Sequence, residues 1–185
     1  MVPRSELAGR FAFLPMQTIK IELTANEVLV AGYVGMRRAA EAYYNQRKER
    51  FKELFLGELW ASHIEAAHAE TAVSKYLGAY WGYGVNTFDV PDIEGTDIEV
   101  RWSRHTRDKP SRGCKVKAQE ADSKIIVAVT GRCPNYEIMG WCEPSYAKRP
   151  RMYCADFPPC YFVPFDELRP MDELKAFMKE RAGNG

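Results

Sequence analysis

Apolar and polar positions alternate with two different periods along this chain, and the change of period divides it into two halves. From Val28 to Tyr43 the apolar positions Val28, Gly32, Tyr33, Met36, Ala39, Ala40 and Tyr43 recur every three or four residues, which predicts a helix. Thr24 and Glu27 bracket its start as a capping box: the threonine oxygen accepts from a free backbone amide and the glutamate reaches back. The pattern predicts a helix from Ala25 to about Leu54, with a charged far end (Arg47, Lys48, Glu49, Arg50, Lys52, Glu53) in solvent. A second box, Ser62-His63-Ile64-Glu65, predicts a further helix ending at Gly78, a residue suited to a left-handed cap. Its Ala61, Ala66, Ala67, Ala69 and Ala72 allow close packing against a sheet.

Beyond an aromatic and glycine loop (Tyr80, Trp81, Gly82, Tyr83, Gly84) the period shortens to two. Strands are predicted at Thr87 to Val90, Asp97 to Ser103, Cys114 to Ala118, Lys124 to Thr130, Tyr136 to Cys142 and Cys160 to Pro164. Ile19 to Leu23 is a candidate short strand, Glu143 to Ala147 a short helix, and Asp166 to Arg181 a terminal helix interrupted at Pro170. Helices first and strands afterwards indicate an α/β or α+β domain, with N-terminal helices packed on a mixed central sheet. The 185 residues suit one domain over 16–185. Residues 1–15 read as a tail or a vector-derived remnant, with Met16 as the start.

Composition removes some classes. There is no apolar run of about 18 residues, the length a membrane helix needs. No secretory signal is visible, so a cytoplasmic location is expected, in a host cell if the chain is phage-encoded. The five cysteines (Cys114, Cys133, Cys142, Cys154, Cys160) lack paired metal-ligand spacing and read as reduced, mostly packed thiols rather than a zinc site with His105.

Net charge is only +1, which argues against bulk electrostatic binding of nucleic acid; the distribution says more. Asp89, Asp92, Glu94, Asp97 and Glu99 form an acidic stretch. Arg101, Arg104, Arg107, Lys109, Arg112, Lys115 and Lys117 follow with a single acid, Asp108. Acids beside a basic rim suit a metal-plus-phosphate site, though a solvated hairpin of mixed charge has the same pattern.

Three acids stand out. Glu70 lies on the helix face that also carries Ala66, Ala67, Val73 and Leu77, where a carboxylate must be paired with an arginine or hold a metal. Asp92 sits where an extended segment ends, and Gly95 allows a tight turn. In the next strand Asp97, Glu99 and Arg101 share one face while Ile98, Val100 and Trp102 share the other. A hairpin then brings Asp92 near Glu99, with Asp97 as an alternative partner. Paired carboxylates with a backbone carbonyl are hard oxygen donors that suit Mg²⁺ or Mn²⁺. His105 in the basic run can touch phosphate, His68 reads as a helix-surface residue, and Trp81 and Tyr83 can stack on bases or pack in the core. Lys148, Arg149 and Arg151 form a second basic patch.

Pro91-Asp92, then Glu99-Val100-Arg101, preceded by a helix carrying Glu70, resembles the PD-(D/E)XK nuclease superfamily. The resemblance implies a restriction-endonuclease-like fold and metal-dependent hydrolysis of DNA phosphodiesters. It implies Asp92 and Glu99 as metal ligands, with Glu70 completing the site. From the basic run itself, Arg104, His105, Arg107, Lys109 and Lys117 are the candidates for contact with nucleic acid. Arg101 stands where the family has lysine; arginine stays protonated and so can hold phosphate but not act as a base. The stretch Glu65 to Trp81, together with Ile138-Met139-Gly140-Trp141 and Tyr161 to Pro164, is similar to uncharacterised proteins of tailed phages and prophages. The alternatives are a catalytically inactive nucleic-acid-binding module or a protein-interaction module on the same fold. DNA is the expected partner, and the chain can be a homodimer.

Overall fold

A computed structural model describes residues 18–45, 56–87, 90–104, 113–155 and 159–183. Strand β1 (Ile19–Glu22) leads into helix α1 (Ala25–Tyr44), whose start is the predicted box: Thr24 Oγ1 accepts from Glu27 N at 3.3 Å and Glu27 Oε2 accepts from Thr24 N at 2.7 Å. The expected extension of α1 to Leu54 falls on residues 46–55, outside the described residues, as do residues 1–17.

Helix α2 (Leu56–Leu77) begins earlier than the second box predicts. Ser62 lies inside the helix, where its hydroxyl donates to Leu59 O at 2.7 Å. Glu65 accepts instead from Tyr136 Oη and from Cys133 N. Because the helix starts before Ser62, there is no free N-terminal amide for its hydroxyl to cap, and Glu65 takes two tertiary partners instead. The C-terminus is as predicted, with Gly78 at φ 65°.

Strands β2 (Ile98–Ser103), β3 (Gly113–Lys117), β4 (Ile125–Arg132) and β5 (Asn135–Cys142) follow. Then come α3 (Pro144–Ala147), β6 (Tyr153–Cys154), β7 (Cys160–Pro164) and α4 (Met171–Gly183). Thr87 to Val90 is not a described strand; Val90 N closes a turn on Thr87 O, and Phe88 and Asp89 are outside the described residues.

The strands form two sheets. The larger is mixed, in the order β1-β5-β4-β2, with β2 parallel to β4 and the other pairs antiparallel. The smaller is antiparallel, in the order β3-β7-β6. One face of the large sheet packs Ile98, Val100, Val127, Val129 and Trp141 against Ala69, Ala72 and Val73 of α2 and Leu174 of α4. The other face packs Ile126, Ala128 and Met139 against Val116 and Val163 of the small sheet. Strand β4 is thus covered on both sides, which is why its sequence is a continuous apolar run.

Helix α1 lies outside α2, joined by Ala31, Val34, Ala67 and Trp81. That makes α2 a buried helix with neighbours on two sides, and its many alanines let both approach. The closest approach is at Gly35, where an added Cβ would stand 2.4 Å from Ile64 Cα and 2.8 Å from His63 O. Gly35→Ala is expected to force the helices apart and cost about 1–3 kcal/mol, read as a lowered thermal midpoint. His68, expected on the surface, is 3% exposed with Nε2 3.0 Å from Val28 O. The overlying α1 is what buries it, a packing that no local pattern reveals.

Among the described residues no helix is long and apolar enough to cross a membrane. All five cysteines are free thiols, with Cys114, Cys142 and Cys160 buried.

Candidate active site

The loop before β2 folds Asp92 back onto that strand. Asp92 N donates to Ile98 O at 3.0 Å, and Asp92 Oδ2 accepts from Val100 N at 2.7 Å. Gly95, at φ 73°, makes the intervening turn. Parallel pairing with β4 fixes β2, setting Glu99 opposite Ile126 and Arg101 opposite Ala128. Glu99 and Arg101 share one face while Ile98 and Val100 enter the core, as the alternation predicts.

The three predicted acids come within electrostatic reach of one another. Burial, then the charges of Glu70 and Glu99, push the Asp92 carboxyl up to about 7, against the opposing pull of the Val100 amide and Arg101. Asp92 lines a cavity of about 190 Å³ with Arg38, Gly82, Gly84, Thr87, Val90, Pro91 and Glu94. Asp97 is exposed at the strand's edge, and Asp92 rather than Asp97 shares the buried environment of Glu99.

Each neighbouring acid has its own cation. Glu70, 5% exposed, takes a two-pronged ion pair from Arg38 at 2.6 and 2.7 Å, and Trp81 Nε1 donates to it at 3.0 Å. Of the two readings of Glu70, the arginine pair is the one seen. Glu99 is shared between Arg101 at 3.2 Å and Lys124 at 3.3 Å. Arg101 also reaches Glu120 at 2.7 Å. Burial works against the Arg101 charge, yet Glu120, Glu99 and Asp92 hold its pKa above the ordinary arginine value. Arg101 is therefore occupied on both sides by carboxylates, whereas among the described residues Lys124 pairs with Glu99.

Arg38 and Lys124 escaped the sequence reading. Arg38 carries the same signal as Glu70, a charge among the positions that face a core, here with Val34, Gly35 and Ala42. Lys124 precedes β4 and meets Glu99 only through the parallel register Ile98↔Ile125, a pairing no local pattern reveals.

The predicted nucleic-acid contacts divide. Arg104 is exposed, its guanidinium donating to Glu58 O at 3.2 Å. Lys117 is exposed at the end of β3, opposite Cys160 in the small sheet. His105, Arg107 and Lys109 lie outside the described residues. In the second basic patch, Lys148 is held by Asp122 and Glu120 O, Arg151 by Glu167, and Arg149 lies over the Tyr146 ring. Trp81 is buried on Glu70 and Trp102 donates to Gly131 O, so both serve packing; Tyr83 is 44% exposed.

Among the described residues no three His, Cys, Asp or Glu side chains are gathered closely enough to hold a metal ion as they stand. Carboxylate oxygens are nonetheless hard donors of the type a divalent cation takes. Asp92 has one oxygen on the Val100 amide, is repelled by two carboxylates and has no side-chain cation hydrogen-bonded to it among the contacts described. Comparison with protein-family models, curated proteins and solved structures finds no match to this chain.

Proposed function

We propose that this chain is a divalent-metal-dependent phosphodiesterase acting on DNA, built on a restriction-endonuclease-like core and encoded by a phage or prophage. The observation that carries this reading is Asp92: a carboxyl in a cavity, pushed up to about 7 by burial, Glu70 and Glu99, is a group arranged for chemistry rather than for stability. Asp92 and Glu99 would hold Mg²⁺ or Mn²⁺, with Glu70 completing the negative field from its place on Arg38. The bound ion would activate water and steady the leaving oxygen of a phosphodiester.

The protein's own groups then have distinct tasks. Arg101, fixed between Glu99 and Glu120, orients the Glu99 carboxylate. Lys124, whose side chain is 20% exposed beside Glu99, supplies an ammonium to a phosphate oxygen. Arg104 extends the basic rim toward the backbone of the strand.

The test is incubation with linear, circular and single-stranded DNA and Mg²⁺ or Mn²⁺. Cleavage that requires the metal is expected. Glu99→Ala and Lys124→Ala should each lower it by roughly 10²–10³-fold, the scale of losing one charge-stabilising group. No cleavage of any DNA form, or an unchanged rate in Glu99→Ala, overturns the reading.

One observation favours a second reading, a non-catalytic DNA-binding module on the same fold: Glu70 and Glu99 are already neutralised by Arg38, Arg101 and Lys124. Affinity for DNA that falls steeply with salt but needs no metal would select it.

A further inference from the structure

Helix α1 carries two apolar stripes, and the fold uses only one. Ala31, Val34, Gly35, Ala39 and Ala42 are buried against α2 and its surroundings. The second stripe faces water: Leu29 is 71% exposed, Val30 46%, Tyr33 60%, Met36 41%, Tyr43 61% and Tyr44 82%. Taking about 200 Å² for a whole large side chain, these six leave on the order of 700 Å² exposed. A typical monomer's largest apolar patch is about 300–600 Å², and a stable interface covers about 800 Å² per partner. The patch is at the upper end of what an ordinary monomer leaves exposed and comes close to one side of an ordinary interface.

Its spacing says what kind of partner fits. Leu29, Tyr33, Met36, Ala40 and Tyr43 follow one another at intervals of four, three, four and three, the repeat that seats one helix along another at a shallow angle. Among the described residues Arg37 stands on its edge and is paired with Glu41 along the same helix at 3.4 Å, so that part of the stripe carries no surplus charge for a nucleic acid or an acidic membrane.

We propose that this stripe is a homodimer seam, on which α1 of a second copy packs antiparallel. A twofold axis at the level between Val34 and Gly35 sets Leu29 against the partner's Ala40, Tyr33 against the partner's Met36, and Tyr43 against the partner's Asn26. Large side chains then face small or flexible ones, and a single stripe is complementary to itself as twofold symmetry requires. The seam is independent of the acidic site.

Sedimentation equilibrium of the whole protein from about 1 to 100 μM is expected to show a dimer. Leu29→Lys and Ala40→Glu should each be monomeric, with helical content and cooperative melting retained, because Leu29 is exposed and Ala40 is only partly buried on α1. Mixed together, the two should form a heterodimer, since the antiparallel register places each lysine beside a glutamate. A wild-type monomer throughout that range overturns the proposal and points to another cover for the stripe. A dimer that survives both substitutions overturns it equally, and failure of the folded variants to pair on mixing overturns the antiparallel register.

Discussion

Replacing Arg38 with methionine is expected to destabilise the protein by about 3–5 kcal/mol, because it leaves the Glu70 carboxylate buried without its counter-charge. For a chain of this size that corresponds to a fall of roughly 6–20 °C in the thermal midpoint. The Arg38 side chain is 13% exposed and that of Glu70 6%, so water cannot replace the lost partner. The damage extends further, since Arg38 Nε also donates to Gly84 O at 2.8 Å and Asn86 donates to Glu41 Oε2 of the same helix at 3.0 Å. Both contacts tie the loop that follows α2 to α1, and Gly82 and Gly84 of that loop line the cavity with Asp92. The double variant Arg38→Met with Glu70→Leu should recover most of the loss, because removing both charges removes the unpaired group. If the single variant melts within a degree or two of the parent, the pair is not what holds α1 to α2.

The second large effect is a dependence of metal-free stability on pH. The Asp92 carboxyl is raised from an ordinary 3.8 to about 7 in the folded protein. Between those values the folded state keeps a proton that the unfolded chain has released, so stability is full below about pH 4 and falls as pH rises toward 7. A shift of that size corresponds to a loss of at most about 4 kcal/mol, less where water reaches the half-buried group. Asp92→Asn should abolish this slope and make the metal-free protein more stable than the parent at pH 8, while its amide oxygen still accepts from Val100 N. Denaturant titrations at pH 5 and pH 8 read both effects. A parent whose stability is the same at the two values, apart from changes shared with Asp92→Asn, contradicts the environment described for Asp92.

The two predictions bear on one arrangement, and only part of it was legible in the sequence. The alternation Ile98-Glu99-Val100-Arg101 fixed which side chains leave the core, because a strand has only two faces. The glycine turn between Asp92 and Glu99 made their proximity readable, since both lie within one local stretch. Glu70 announced itself as a charge among alanines. What pairs with it did not, because Arg38 is 32 residues away and meets it only when α1 lies on α2. Lys124 depends on a parallel register, and the division of the strands into two sheets depends on which edges pair; neither is encoded by a local period. Which side of α1 faces the core was not legible for a related reason. Tyr33, Met36 and Tyr43 have helical spacing, yet the smaller Ala31, Gly35, Ala39 and Ala42 are the ones inside. Close helix packing selects small residues, and periodicity alone does not tell an inner stripe from an outer one.

The carboxylate pair Asp92 and Glu99 as the seat of a divalent cation is the centre of this account. Calorimetric titration of the protein with Mn²⁺ at pH 8, where the Asp92 carboxyl is ionised, tests it most directly. Binding of about one ion per chain is expected, weaker at pH 5.5 and lost in both Asp92→Asn and Glu99→Gln, with the folded state of each variant intact. Absence of binding by the parent, or binding that both variants retain, would contradict it.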